Sequence, residues 1–327
     1  MPKRMNILIT GATGFIGRHL AYRLAKENYS VRCLVRRSSD ISCLSNLNVD
    51  IFYGDLLSKD SLGNALEKVD LIYHLAGEVY SRKKDDYYKG NILATNNLLE
   101  ACEEKRPKRI IFLSSTGIYK PAEAKTLLNE ESECEPITFY GKTKLGAEEL
   151  IKKHKIPWVI IRAPVIYGPH QPTVLNRFFL DVFNKRKIYI VGKGDNLRSL
   201  CFIDNLVEGL VLLANKVDVD GKTYILSDNS PYTFNEIIKA GSRVVQQSVD
   251  VTHLPNFLGD ISWKICRLMD NVFSLCFVEL YAIKKTQFHE AYDISKAKNE
   301  IGYCPSITLE EGMKSTIDWL RKTHIRG

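Results

Sequence analysis

Asn6-Ile7-Leu8-Ile9-Thr10-Gly11-Ala12-Thr13-Gly14-Phe15-Ile16-Gly17 runs from an apolar, β-branched stretch into three glycines at three-residue spacing. Consecutive apolar residues at 7–9 suit a strand covered on both faces, as in a parallel sheet between helices. Gly11 permits a tight turn, Gly14 lets backbone approach a pyrophosphate, and Gly17 lets the next helix pack closely on the strand. A helix beginning there offers free N–H groups and positive potential to phosphates. The stretch reads as a phosphate-binding strand–turn–helix unit.

The pattern continues outward. Strands are predicted at Asn6–Thr10, Ser30–Val35, Asp50–Tyr53, Leu71–Leu75, Arg109–Leu113 and Trp158–Arg162. Helices are predicted at Phe15–Glu27, Ser58–Glu67, Tyr87–Glu104 and Tyr140–His154. This alternation predicts an α/β fold with a doubly wound parallel sheet. After Tyr167-Gly168-Pro169 the alternation stops, and Pro169 and Pro172 mark a loop. We read residues 1–168 as the nucleotide-binding domain, with 199–228 returning to it. Residues 169–198 and 229–327 then form a smaller, mixed α/β C-terminal substrate domain, which holds an apolar helix at Pro255–Val272.

Composition narrows the classes. The 327 residues are 45% hydrophobic and 26% charged, so the chain folds and is not disordered. Forty-six Lys and Arg against 38 Asp and Glu leave +8. That excess allows nucleic acid, an acidic membrane surface or a phosphorylated ligand. No run of five basic residues favours a polyanion, so no nucleic acid is expected. No stretch reads as a membrane span, and Met1–Thr10 does not read as a signal peptide, so no membrane and a cytoplasmic location are expected. The eight scattered Cys read as reduced packing thiols. His74, His170 and His289 lack metal-ligand spacing, and no metal is expected.

Eighteen residues past Gly17, the second strand ends at Val35-Arg36-Arg37. An acid there would bond the ribose hydroxyls of NAD, whereas guanidinium forks suit a 2′-phosphate. Arg36 and Arg37 therefore favour NADP. Asp55, after the third strand, is in place for the adenine amino group. Farther on, Tyr140-Gly141-Lys142-Thr143-Lys144 puts Tyr140 and Lys144 on one helix face. A phenol near pKa 10 is a poor base at neutral pH. A nearby ammonium and a nicotinamide cation both favour the phenolate, so the Tyr140 pKa is expected to fall. Ser114-Ser115 closes the strand Arg109–Leu113, where a parallel sheet presents ligand groups.

With these residues in view, the chain resembles the extended short-chain dehydrogenase/reductase family, also called the NAD-dependent epimerase/dehydratase family. The matching residues run almost end to end: Gly11–Gly17, Gly54-Asp55-Leu56, His74-Leu75-Ala76-Gly77, Asn91, Ser114-Ser115, Tyr140 with Lys144, and Arg162–Pro169. Arg198–Asn205, Tyr292–Ala297 and Gly302-Tyr303 with Pro305 complete the set. The resemblance implies a Rossmann-type fold and a catalytic trio of Ser115, Tyr140 and Lys144. It implies NADP or NAD held by Gly11, Thr13, Gly14, Phe15, Ile16 and Gly17 of the loop, by Arg36, Arg37, Asp55 and Leu56, by Leu75, Ala76, Gly77 and Asn91, by Tyr140 and Lys144, and by Pro164 and Val165. NAD is the form expected for a 4-epimerase. Substrate would meet Ser115, Thr116 and Arg198, and a homodimer is expected.

Three functions stay open on this reading. The first is an NAD(P)-dependent sugar-nucleotide epimerase or related sugar-modifying enzyme working by reversible hydride transfer at a secondary alcohol, with Tyr140 as acid/base. Arg198 matches the position where sugar-nucleotide members meet the diphosphate of a nucleoside-diphosphate sugar, and Lys187–Val191 is in place to line a nucleoside base. The family's dehydratases carry an acidic pair after the hydroxyl residue, where this chain has Thr116-Gly117. The second function is an NADP(H)-dependent ketone reductase or steroid- or lipid-type hydroxy dehydrogenase. Val35 in place of the NAD-type acid and the apolar stretch Leu254–Phe277 point that way, although such a stretch also suits core or dimer contact. The third is a non-catalytic NADP-binding regulator.

Overall fold

The N-terminal strand–turn–helix unit lies in the interior of the sheet. The computed structural model describes residues 4–27, 29–122, 124–171, 187–273 and 275–324; Pro172 of the expected loop lies outside them. Strands β1 (Asn6–Thr10), β2 (Ser30–Val35), β3 (Asp50–Tyr53), β4 (Leu71–His74), β5 (Arg109–Ser115) and β6 (Trp158–Ala163) pair in parallel with a strand from much later in the chain. The order is β3-β2-β1-β4-β5-β6, followed by β11 (Lys222–Ile225) against β6. The strand order reverses between β1 and β4, and ligands of such sheets bind in the crevice at the carboxyl ends beside that point.

Both faces of the sheet are covered because its strands are apolar at successive positions. Ile7, Ile9, Tyr73, Ile111 and Ile161 face one core, with Leu20 and Leu24 of α1 (Phe15–Ala25) and Leu206 and Leu210 of α6 (Ile203–Leu212). Leu8, Ile72, Phe112 and Ile160 face the other, with Leu98 and Leu99 of α4 (Ala94–Lys105) and Ala147 and Ile151 of α5 (Phe139–Lys153). Burying a Leu or Ile fully contributes roughly 1.5–3 kcal/mol, so these two layers dominate the cohesion of the sheet.

Helix boundaries depart from the sequence reading at several places, and α1 ends at Ala25 rather than Glu27. The expected helix Ser58–Glu67 is a 3₁₀ turn, Lys59–Ser61, followed by the single α-turn α2 (Gly63–Leu66). Ser61 Oγ donates to the carbonyls of Ser58 and Asp55 and accepts from Asp55 N–H, so the side chain competes with helical backbone bonds. The expected helix Tyr87–Glu104 is compound: α3 (Lys84–Tyr87), a π-helical turn at Tyr88–Leu93, then α4. α5 begins one residue early because Thr138 caps it, its side chain accepting from Gly141 N–H at 3.0 Å.

Beyond β6 the chain builds a smaller assembly around the carboxyl edge. β7 (Val165–Tyr167) pairs in parallel with β10 (Leu200–Phe202). β8 (Ile188–Val191) pairs in parallel with β13 (Val251–Leu254), and β9 (Leu197–Arg198) antiparallel with β12 (Tyr232–Thr233). Ile188 and Ile190 pack with Ile238 and Val245 of α7 (Phe234–Val245) and Ile317 of α11 (Leu309–His324). α8 (Phe257–Phe273) packs against α9 (Val278–Lys285), and α10 (Ser295–Ile301) lies against β11.

Candidate active site

The phosphate turn is built from close backbone approaches. Gly11 has φ +72°, a conformation that side chains disfavour, and its carbonyl accepts from Gly14 N–H at 3.0 Å. A Cβ on Gly11 would sit 2.8 Å from Ala76 N, and one on Gly17 would fall on the Gly11 carbonyl. Among the described residues no side chain caps the start of α1 at Gly14, and no acid stands in its first turn. The N–H groups of that turn therefore face the crevice unneutralised, which fits a pyrophosphate. Thr13, Phe15 and Ile16 belong to the same turn and helix start. Arg36 and Arg37 are exposed just past β2, with the Arg37 guanidinium 5.4 Å from the centre of the Tyr53 ring. The Asp55 carboxylate accepts from Leu57 N–H at 2.9 Å, and the Leu56 carbonyl accepts from Asn97 at 2.8 Å.

A buried hydrogen-bond chain joins this turn to the helix that carries Tyr140. Its centre is His74, wholly buried at the end of β4, beside Thr10 in the β1–β4 register. His74 Nδ1 lies 2.8 Å from Thr10 Oγ1, and Nε2 lies 3.0 Å from Thr95 Oγ1. Thr95 donates to the Asn91 carbonyl at 2.6 Å. Its single proton is thereby committed, so we assign the His74 proton to Nε2, leaving Nδ1 to accept from Thr10. Burial, with the Lys144 charge adding to it, lowers the His74 pKa to about 3 and keeps the ring neutral. Ala76 N–H donates to Thr10 Oγ1 at 3.3 Å, so the residue after Leu75 is held by the same chain.

Asn91 extends the network. It is 2% exposed within the π-helical turn, a distortion often found at functional sites. Its side-chain amide donates to Glu78 O and to Thr143 Oγ1, each at 3.0 Å, and its carbonyl oxygen accepts from Glu78 N–H at 3.0 Å. Thr143 in turn donates to the Tyr140 carbonyl at 2.9 Å. A Cβ on Gly77 would meet Asn91 Oδ1 at 2.7 Å, so the loop between β4 and Glu78 is pressed onto this amide.

Ser115, Tyr140 and Lys144 come together at the carboxyl end of β5. Ser115 Oγ accepts from Gly117 N–H at 3.0 Å and faces the Tyr140 phenol closely enough to lower its pKa. A Cβ on Gly117 would lie 3.3 Å from Ser115 Oγ and 3.9 Å from Tyr140 Cε1, which shows how closely the helix start packs on this turn. The Lys144 side chain is 5% exposed, and its ammonium donates to the Leu113 carbonyl at 2.6 Å over the Phe112 ring. Pro164 is buried and Val165 is exposed where β6 gives way to β7, beside the Ser115–Ala163 register pair.

The expected fall in the Tyr140 pKa is not what this arrangement gives. Burial pushes the phenol up to about 12, with the neighbouring Ser115 hydroxyl opposing. The Lys144 ammonium is aimed at the Leu113 carbonyl, and burial lowers its own pKa to about 7 against the pull of Glu148. Glu148 is fully buried and paired through both oxygens with Arg162, at 3.1 and 2.8 Å. That pair ties α5 to β6 beneath Tyr140 and Lys144.

Arg198, expected to meet a diphosphate, already has protein partners. It is 6% exposed, ion-paired with Glu290, and its guanidinium donates to the Lys285 carbonyl. The Lys285 ammonium meets the other Glu290 oxygen at 2.6 Å. Burial lowers Arg198 to about 10, and burial followed by the Arg198 charge lowers Lys285 to about 7. The Tyr292 phenol lies near both Thr116 and Arg198 and so links this cluster to the residue after Ser115. Tyr189 of β8 stands 61% exposed. Neither Glu290 nor Lys285 was legible in the sequence, since they pair with a residue about ninety positions away. Thr10, Thr95 and Thr143 were missed as well; a threonine carries no motif of its own.

Comparison with known proteins bears on this geometry. A sequence profile of the NAD dependent epimerase/dehydratase family matches residues 7–227. The protein y4nL of Sinorhizobium fredii is 30% identical, with 97% of this chain and 95% of that one covered. Sterol-4-alpha-carboxylate 3-dehydrogenase, decarboxylating, of Bos taurus is 26% identical over 97% of this chain and 93% of its own. The crystal structure of UDP-glucuronic acid 4-epimerase from Bacillus cereus, in complex with UDP-glucuronic acid and NAD, superposes with a TM-score of 0.80 at 25% identity. It covers 98% of this chain and 100% of that one. The chain is an enzyme of the NAD dependent epimerase/dehydratase family.

Proposed function

We propose that this enzyme moves a hydride reversibly at a secondary alcohol of a nucleoside-diphosphate sugar, as an epimerase or closely related sugar-modifying enzyme. The observation that carries the reaction class is the juxtaposition of Ser115 and Tyr140 around Gly117 at the carboxyl end of β5, on the same edge of the sheet as the glycine turn. The sugar assignment is supported by the likeness to the epimerase that binds UDP-glucuronic acid and NAD.

In this reading the glycine turn and the start of α1 hold the pyrophosphate of NAD or NADP, and the loop at Leu75–Gly77 with Pro164 and Val165 borders the nicotinamide. Lys144 bonds the neighbouring ribose. The cofactor, when bound, supplies the hydride acceptor and donor. Tyr140 takes the hydroxyl proton as the alcohol is oxidised and returns it as the ketone is reduced. Ser115 is set as a donor to the same oxygen, because its acceptor side is turned to Gly117 N–H. Burial holds the Tyr140 phenol well above its ordinary pKa, so it acts as a base only when positive charge faces it.

A second reading rests on Arg198. Its guanidinium is already matched by Glu290, so a diphosphate must share or displace that carboxylate. An uncharged alcohol or ketone needs no such exchange, and the sterol dehydrogenase relative makes this NADP(H)-linked reading the alternative. A regulator without catalysis is disfavoured by the assembled Ser115–Tyr140 pair. We also take 169–198 and 229–327 as the substrate-binding part, in a cytoplasmic homodimer. Mass spectrometry of the ligand retained on purification tests the proposal. Bound nucleotide sugar, or turnover of one without net change in nicotinamide absorbance, supports it. Net oxidation of a hydroxysteroid or small alcohol, with no turnover of uridine diphosphate sugars, overturns it.

A further inference from the structure

The outer face of α8 carries five large apolar side chains in solvent: Phe257, Ile261, Ile265, Leu268 and Val272, exposed by 57, 46, 45, 58 and 61%. Steps of four, four, three and four residues put them on one stripe of the 17-residue helix. The buried side of the helix is formed by Gly259, Ser262 and Cys266, so the apolar stretch seen in the sequence is only partly core. A contiguous exposed stripe of this kind marks an interaction surface.

Charge selects the occupant. Lys264 and Arg267 are exposed on the same helix, both along one edge of the stripe. The two acids of the helix are matched elsewhere, Asp260 by Lys284 at 2.7 Å and Asp270 by Lys84 at 2.6 Å. Lys83, also exposed, bridges to Leu275 just past the helix end. The chain as a whole carries +8. A second copy packed stripe to stripe would bring two sets of these cations together. An apolar stripe with a basic rim matches a bilayer surface carrying anionic headgroups. Among the described residues no helix is long and apolar enough to cross a membrane, so the contact is peripheral.

We propose that α8 docks the enzyme on an anionic lipid surface, its stripe in the headgroup–acyl boundary and Lys264 and Arg267 on lipid phosphates. The test is co-sedimentation of the full chain with vesicles of phosphatidylglycerol and phosphatidylcholine, against vesicles of phosphatidylcholine alone. The wild type should sediment with the anionic vesicles, and salt should weaken it. Ile265→Glu with Leu268→Glu should lower the partition at least about ten-fold, because two apolar anchors are lost. Lys264→Glu with Arg267→Glu should abolish the preference for anionic vesicles. Melting temperature and cofactor binding should stay unchanged in both variants, since all four positions are exposed. Three results overturn the proposal: wild type that stays in the supernatant with both vesicles, undiminished sedimentation of the Ile265→Glu, Leu268→Glu variant, or conversion of a dimer into a monomer by that variant without vesicles, which would assign the stripe to a second copy.

Discussion

Gly141→Ala should disable the enzyme while leaving it folded. Gly141 follows Tyr140 in the first turn of α5. A Cβ there would fall on the Gly117 carbonyl oxygen, 2.9 Å from Pro136 Cβ and 3.2 Å from the Gly117 carbonyl carbon. The carbonyl belongs to the 3₁₀ turn Thr116–Ile118, and Gly117 N–H is bonded to Ser115, so backbone must move. Reaching ordinary van der Waals separation takes a shift of about 1 Å between the turn and the helix start. That is the separation that sets Tyr140 against Ser115, and a misplacement of this size costs roughly 100-fold in turnover. Overpacking costs about 1–3 kcal/mol, and the helix propensity of Ala over Gly offsets about 1 kcal/mol of it.

Gly146→Ala is the matched control on the same helix. There a Cβ meets only Ile92 Cδ1, at 2.7 Å, the end of a side chain that can rotate. It should keep turnover within about three-fold and gain up to about 1 kcal/mol in stability. Single-turnover hydride transfer and urea unfolding of both variants measure the two effects. Near-normal turnover for Gly141→Ala, or equal loss in both variants, refutes the account.

Tyr140→Phe should keep cofactor affinity, measured by titration, and lower turnover by at least about 100-fold; near-normal turnover removes Tyr140 from its role. Arg36→Ala should weaken NADP far more than NAD in the same titration, and equal losses would show that Arg36 does not read the 2′-phosphate. His74→Leu should cost about 1–3 kcal/mol at pH 7 in urea unfolding, because Thr10 loses its acceptor. In the wild type, protonation of His74 favours the unfolded chain, since burial holds the folded pKa near 3 against the ordinary 6.5. Its contribution is complete above pH 6.5 and is lost as pH falls toward 3, so the gap between wild type and variant should narrow over that window. A gap that does not change with pH would show that His74 does not titrate as inferred.

What could be read in advance followed from local chemistry. The strands of the main sheet declare themselves as short apolar runs such as Ile7–Ile9 and Ile110–Leu113, because burial on both faces leaves no polar position in them. The glycine turn was legible because Gly11 and Gly17 each answer a backbone approach that no other residue tolerates. The π-helical turn at Tyr88–Leu93 was not, since its apolar spacing looks like that of an α-helix. Nor was the direction of Lys144: a four-residue spacing puts Tyr140 and Lys144 on one face, but the Leu113 carbonyl that takes the ammonium lies 31 residues away. Arg198 shows the same limit, because its match to a diphosphate-binding position carries no information about Glu290.

The chain through Thr10, His74 and Thr95 also gives the enzyme a spectroscopic handle. A neutral imidazole with Nε2–H committed to a hydroxyl and no solvent access should exchange that proton slowly, and its resonance should stand apart from those of surface histidines. Because the ring lies between Thr10 of the strand that opens the glycine turn and Thr95 of α4, its signal reports whether these two elements are assembled, before any substrate is added.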